Sequence, residues 1–242
     1  MYFKIKRCLD CVISLVGIIV LSPVFILLAA WVKLESEGPV FFRQKRYGKN
    51  KVPFDCLKFR TMYIDTPPNS ATADLKNAEY YITRSGRLLR RIGLDELPQL
   101  FNVFKGDMSL IGPRPVVLSE TKLIEERDKY GANKFLPGIG GWAQSNGRDE
   151  LDYKTKARLD GEYAQNFGFH MDVSCAWRTV IAIFTSDGFK EGHIGDTAYK
   201  RQVQARTKQL ALHKRVVRKV KKTASARKMA KVSAESNGKV AF

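Results

Sequence analysis

Residues 11–32 carry no charge, and this run restricts the chain's fold more than any other feature. As a helix rising about 1.5 Å per residue it is long enough to cross a hydrocarbon core of about 30 Å. Its flanks object to a single crossing. Lys4, Lys6 and Arg7 precede it, and Lys33, Arg43, Lys45, Arg46, Lys49 and Lys51 follow it, so both ends carry the charge bias of a cytoplasmic flank. A signal peptide fits poorly, because the apolar run is too long and the flank Lys33-Leu34-Glu35 lacks a cleavage pattern. In the middle stands Ser22-Pro23, where proline removes a backbone donor and bends a helix. A helix that enters, bends there and leaves on the same side resolves the conflict, with the Ser22 hydroxyl available to a freed carbonyl. A plain spanning helix is the competing reading.

A second stretch, residues 84–115, gathers charged groups in an ordered way. Leu88, Leu89 and Ile92 fall at helical spacing among Arg87, Arg90 and Arg91, and Gly93 ends the pattern before Asp95 and Glu96. Pro98 is tolerated only in a first helical turn, which places the two acids at the N-terminus of a helix through Gln99, Leu100 and Val103. A short apolar strand over residues 108–111 follows, and then Pro113 and Pro115 bracket Arg114 and stiffen its backbone. Two readings compete here. The acids cap a helix and the arginines are solvated, or the set forms a site, since paired carboxylates, phosphate-gripping guanidiniums and a helix N-terminus suit metal-assisted phosphoryl transfer.

Further along the chain, strands around residues 40–42 and 54–59 flank a turn at 47–50, a β-hairpin that sets Lys58 and Arg60 on one face. Residues 64–75 are rich in Pro, Ser, Thr, Asn and Asp and read as a loop over the site. Residues 118–130 form a polar helix ending at Gly131. Glycines then cluster at 138, 140, 141 and 147, around Trp142, Gln144, Asn146 and Arg148, which suits close approach to a ligand or simple tight turning. Over residues 172–187, Asp172 is placed as a cap, with Val173, Ala176, Trp177, Val180, Ile181 and Phe184 as an apolar stripe for the core or a membrane interface.

Several of these runs, in order, resemble the bacterial sugar transferases, the monotopic polyprenyl-phosphate phosphoglycosyl transferases. They are the broken membrane segment, GPVFFRQKRYG (38–48), KFRTM (58–62), LDELPQLFNVFKGDMSLIGPRP (94–115) and PGIGGWAQSNGR (137–148). The family has Thr and Val where this chain has Gly140 and Ser145. The resemblance covers about residues 1–190 and implies transfer of a sugar-1-phosphate from a UDP-sugar to polyprenyl (undecaprenyl) phosphate, with UMP released. It implies Asp95 as nucleophile, Glu96 beside it, and Mg²⁺ held by Asp95, Glu96 and substrate oxygens. Lys58, Arg60, Arg90 and Arg114 are then expected on phosphates or carboxylates, and Gln144, Asn146 and Arg148 on the nucleotide or sugar. Lys6, Arg7 and Asp10 are expected at headgroup level. No motif names the sugar.

The fold expected is α+β: a re-entrant membrane anchor over 1–35, a small, mostly helical cytosolic domain with a β-hairpin and interfacial amphipathic helices over 36–199, and a basic tail over 200–242, helical or disordered. The expected place is the cytoplasmic face of a bacterial inner membrane, with membrane lipid as a partner and a homo-oligomer left open. Most of the net charge of +18 lies in the tail, which holds 14 Lys or Arg against one acid, Glu235. That charge suits an anionic leaflet or plain solvent. Nucleic-acid binding and a non-catalytic membrane scaffold are the alternatives. The first lacks a reader motif and aromatics among the charges, and leaves the apolar run without a role. Cys8, Cys11, Cys56 and Cys175 form neither a disulfide framework nor a zinc pattern, and His170, His193 and His213 have no ligand spacing.

Overall fold

The computed structural model describes residues 1–66, 78–147 and 151–185. Two helices open the chain, α1 (Tyr2–Val20) and α2 (Ser22–Glu35), bent by 63° about Leu21. The cause is local. Pro23 lies in the first turn of α2 and has no N–H for the carbonyl of Ile19, and the Ser22 hydroxyl donates to that carbonyl instead, at 2.8 Å. Among the described residues no single helix is long and apolar enough to cross a membrane, whereas the bent pair passes on length and composition. Leu9, Val12, Val16, Ile19, Ile26, Leu27 and Trp31 of this pair are exposed. The opposite face packs inward, with Phe25, Leu28 and Val32 against Phe59 and Leu89. So much exposed apolar surface on one element asks for an apolar environment.

The hairpin follows, with β1 (Phe41–Tyr47) antiparallel to β2 (Pro53–Phe59) and Phe41 opposite Phe59. Helix α3 (Arg84–Ile92) begins where the Thr83 side chain accepts from the Gly86 N–H and ends at Gly93, whose φ of 72° is the left-handed cap that favours glycine. A short 3₁₀ turn, Leu94–Glu96, then leads through Pro98 into α4 (Gln99–Lys105). Strand β3 (Ser109–Ile111) pairs in parallel with β4 (Gly138–Gly140), and α5 (Thr121–Tyr130) lies between them in the chain. Helices α6 (Trp142–Ser145), α7 (Tyr153–Gln165) and α8 (Phe169–Thr185) complete the described chain. The architecture is α+β, mostly helical with one small hairpin.

One expected boundary is corrected. Helix α8 starts at Phe169, so Asp172 lies inside its first turn rather than capping it. Its buried carboxylate accepts from the Tyr2 and Tyr163 hydroxyls and pairs with Lys6 at 2.8 Å. The α8 stripe faces outward, with Val173, Trp177, Val180 and Ile181 exposed, which decides against the core reading. The expected loop lies largely, and the basic tail wholly, outside the described residues.

Candidate active site

Two carboxylates and their partners come from three separate elements. Asp95, 7% exposed, and Glu96 stand on the 3₁₀ turn before α4. Lys58 reaches them from β2, with its ammonium 2.6 Å from Oε1 of Glu96 and 3.8 Å from Oδ2 of Asp95. Asn102 keeps these two elements together, since its side chain accepts from the Leu57 N–H and donates to the Asp55 carbonyl, stitching α4 to β2 beside Lys58. Arg114 also approaches, 3.7 Å from the same Glu96 oxygen.

The Pro113-Arg114-Pro115 arm is held at each residue. The Pro113 carbonyl accepts from the Gly138 N–H, the Arg114 carbonyl from Arg127, and the Pro115 carbonyl from Arg46. Arg127 is fixed in turn by the buried carboxylate of Asp160. In the sequence Arg46 stands out only as one of several flanking charges, and Arg127 and Asp160 not at all. Their partners are distant along the chain, and no local pattern marks a guanidinium that binds a remote carbonyl.

Electrostatics keeps Glu96 ionised. Burial pushes its carboxyl up, but Lys58, then Arg114 and more weakly Arg46 outweigh burial and hold it down at about 2. Ionised at neutral pH, Glu96 can orient cations. Arg46 itself is lowered, first by burial and then by the neighbouring Arg114 charge. The cluster joins two acids to Lys58 and Arg114, an arrangement suited to receiving phosphate oxygens beside an ionised carboxylate.

The remaining expected residues divide. Arg90 hydrogen bonds through Nε to the Thr61 hydroxyl at 2.8 Å. Arg60 does not join the cluster. It is 5% exposed, and it caps the C-terminal end of α2 by donating to the carbonyls of Val32, Ser36 and Glu37. The strand ends where the backbone turns from the hairpin toward α3, so Lys58 and Arg60 serve different neighbours. Gln144 is buried and donates to the Ile139 carbonyl, and Asn146 donates to the Trp142 carbonyl and accepts from Arg178. Arg148 lies outside the described residues. Lys6, Arg7 and Asp10 all bind protein groups: Lys6 pairs with Asp172, Arg7 donates to carbonyls of α4, and Asp10 accepts from β3.

Residues 1–186 match the family described as Bacterial sugar transferase. The chain belongs to the bacterial sugar transferase family. The uncharacterized sugar transferase EpsL of Bacillus subtilis is 37% identical over 187 residues, which cover 77% of this chain and 91% of that one. The undecaprenyl-phosphate glucose phosphotransferase of Komagataeibacter xylinus is 39% identical over 196 residues, 76% of this chain and 37% of that one. The undecaprenyl-phosphate galactose phosphotransferase of Salmonella typhimurium is 36% identical over 200 residues, 76% of this chain and 41% of that one.

In this bacterial sugar transferase the glycine motif acts as scaffold. A Cβ on Gly138 would meet the Gly112 nitrogen at 2.1 Å, and one on Gly141 would meet the Gly112 oxygen at 2.2 Å. These glycines let two backbones touch, and the contact carries the arm that presents Arg114. At Gly140, where the family has Thr, an added Cβ would meet Thr179 of α8 at 2.8 Å.

Proposed function

We propose that this sugar transferase moves a sugar-1-phosphate from a UDP-sugar to a polyprenyl phosphate such as undecaprenyl phosphate, releasing UMP and forming a polyprenyl-diphosphate sugar that initiates a surface glycan. The observation that carries the reading is the buried Asp95 carboxylate beside Lys58, Glu96 and Arg114. Two relatives, an undecaprenyl-phosphate glucose phosphotransferase and an undecaprenyl-phosphate galactose phosphotransferase, support the acceptor class and leave the sugar open.

The reaction runs in two displacements. An Asp95 oxygen attacks the β-phosphorus of the UDP-sugar, a P–O bond forms, and the bond to the bridging oxygen breaks with its electron pair leaving on UMP. A phosphate oxygen of the polyprenyl phosphate then attacks the same phosphorus and the Asp95 carboxylate departs, restored. Arg114 and Lys58 meet the charge on the phosphoryl oxygens, while Glu96, ionised at neutral pH, keeps both cations aimed.

The adjacent carboxylates fit Mg²⁺, which in phosphoryl sites takes one or two carboxylates and completes its shell with phosphate and water. Among the described residues no group of three His, Cys, Asp or Glu side chains could hold a metal by itself. Asp95 and Glu96 would therefore share the ion with substrate. Bound there, it would neutralise the diphosphate.

The bent α1–α2 pair is read as re-entrant on the cytoplasmic face of a bacterial inner membrane, supported by basic residues on both flanks and by apolar side chains on its outer face. The α8 stripe with Trp177 would lie in the same interface. The test is UMP release by full-length protein in nanodiscs with Mg²⁺, undecaprenyl phosphate and a panel of UDP-glucose, UDP-galactose and UDP-N-acetylgalactosamine. Release over many turnovers that requires both substrates is expected. A nucleotide product that forms equally well without the lipid phosphate, over many turnovers, overturns the reading.

A further inference from the structure

Arg7 and Asp10 stand three positions apart on α1, so one turn of helix sets both on the same side. Arg7 donates to the carbonyls of Val103 at 2.6 Å and Phe104 at 2.8 Å, in the last turn of α4. Asp10, 3% exposed, accepts from the Ser109 hydroxyl at 2.7 Å and from the Leu110 N–H at 3.1 Å, both in β3. These two grips fall on the two arms of the active site. Helix α4 follows the Asp95/Glu96 turn directly, and β3 leads through Gly112 and Pro113 to Arg114. Between the arms the chain passes through Gly106, whose φ of 105° lies where only glycine is comfortable and where the backbone has the least intrinsic stiffness. The turn is held from within, where the N–H groups of Gly106, Asp107 and Met108 all donate to the Asn102 carbonyl, and α1 adds one grip on each arm from outside it. A buried carboxylate is costly unless its hydrogen bonds are made, and those of Asp10 are made to the Arg114 arm.

We propose that Arg7 and Asp10 are positioning residues that set the gap between Arg114 and the Asp95/Glu96 pair, so that the helix presenting the apolar surface also aligns the transfer machinery. The proposal rests on the roles given above to Asp95 and Arg114. Neither Arg7 nor Asp10 touches the reacting groups. Each acts through a backbone, Arg7 through α4 and Asp10 through β3.

The experiment uses full-length protein in nanodiscs, with whichever of UDP-glucose, UDP-galactose and UDP-N-acetylgalactosamine the wild type turns over. Asp10→Ala is expected to lower the maximal rate of UMP release about tenfold while the donor KM moves less than about twofold, since a small misplacement of a charge-stabilising group is felt in the transition state. Asp10→Asn, whose amide oxygen can still accept from Leu110, is expected to recover most of the rate. In an Arg114→Ala background the Asp10→Ala loss is expected to vanish, and an equal loss in both backgrounds overturns the proposal by showing a general effect on folding. Hydrogen exchange supplies a readout independent of turnover. Asp10→Ala should speed exchange over residues 109–114 and spare 99–105, and Arg7→Met should do the reverse. A uniform rise across both segments overturns the inference. A wild type inert with every donor overturns the transferase reading, and the exchange pattern then still decides whether α1 holds the two arms.

Discussion

The Lys58 ammonium stands 2.6 Å from Oε1 of Glu96, across the gap between a β-strand and a 3₁₀ turn far away in the chain. Glu96 receives Arg114 on the same oxygen, so one carboxylate aligns two cations for the neighbouring Asp95. The pair is about one-fifth exposed on each side, which places it between a weak surface bridge and a buried one.

Replacing Lys58 by Met keeps the hydrocarbon stem and removes the charge. The rate of UMP release is expected to fall about 100-fold, the typical cost of losing one preorganised charge-stabilising donor. Stability is expected to fall by about 2 kcal/mol, because Glu96 keeps only its more distant Arg114 contact. Steady-state kinetics and thermal unfolding of the nanodisc protein check both.

Acid stability reports on Glu96. Its folded carboxyl is held at about 2, below an unfolded value of about 4.3. A depressed carboxyl contributes stability in full above the unfolded value and loses it as pH falls toward the folded one. The melting temperatures of wild type and Glu96→Gln are therefore expected to differ by a constant amount above about pH 5 and to converge between about pH 4 and pH 2. A gap that opens on acidification instead would contradict the charge assignment.

Arg60→Ala separates packing from phosphate binding. The change leaves three carbonyls at the end of α2 without their donor, and a loss of about 2–4 kcal/mol is expected, with the donor KM unchanged in the protein that remains folded. A raised KM at unchanged stability would return Arg60 to the substrate.

Much of this could be read along the chain because the signals were local. Pro23, Gly93, Pro98 and Gly131 each mark a helix end or bend, and the structure places each there. The paired acids and the proline-bracketed Arg114 were equally visible, since a short motif contains its own stereochemistry. What could not be read involves partners far apart in sequence. Arg60 resembles Lys58 by alternation, yet its neighbour is the end of α2. Asp172 suits an N-cap by residue type, but its carboxylate is occupied by Tyr2, Tyr163 and Lys6. The glycines of 138–141 were ambiguous for the same reason, because Gly112, the backbone they touch, belongs to another motif.

Gly141→Ala tests that contact. Its new methyl group would stand 2.2 Å from the Gly112 oxygen, a clash between backbones that no side-chain rotation relieves. A loss of at least about 1–3 kcal/mol is expected, together with a lowered rate, because the displaced strand carries Arg114. Gly93→Ala is a useful comparison: it has open space around it and meets only the strain of its left-handed φ, about 1 kcal/mol. Thermal unfolding of the two variants side by side measures the difference.

In the two-displacement reaction proposed above, Asp95 carries the phosphosugar between the two substrates. Intact-mass spectrometry of the purified protein, after mixing with a UDP-sugar and Mg²⁺ but no lipid acceptor, tests it most directly. A single added sugar phosphate is expected on the wild type, mapped to Asp95, accompanied by one UMP per protein and discharged when undecaprenyl phosphate is added. Asp95→Asn should take up none. An adduct of the same mass on Asp95→Asn, or lipid-dependent turnover in which the wild type never releases UMP before the acceptor arrives, would contradict it and leave direct transfer between the two substrates.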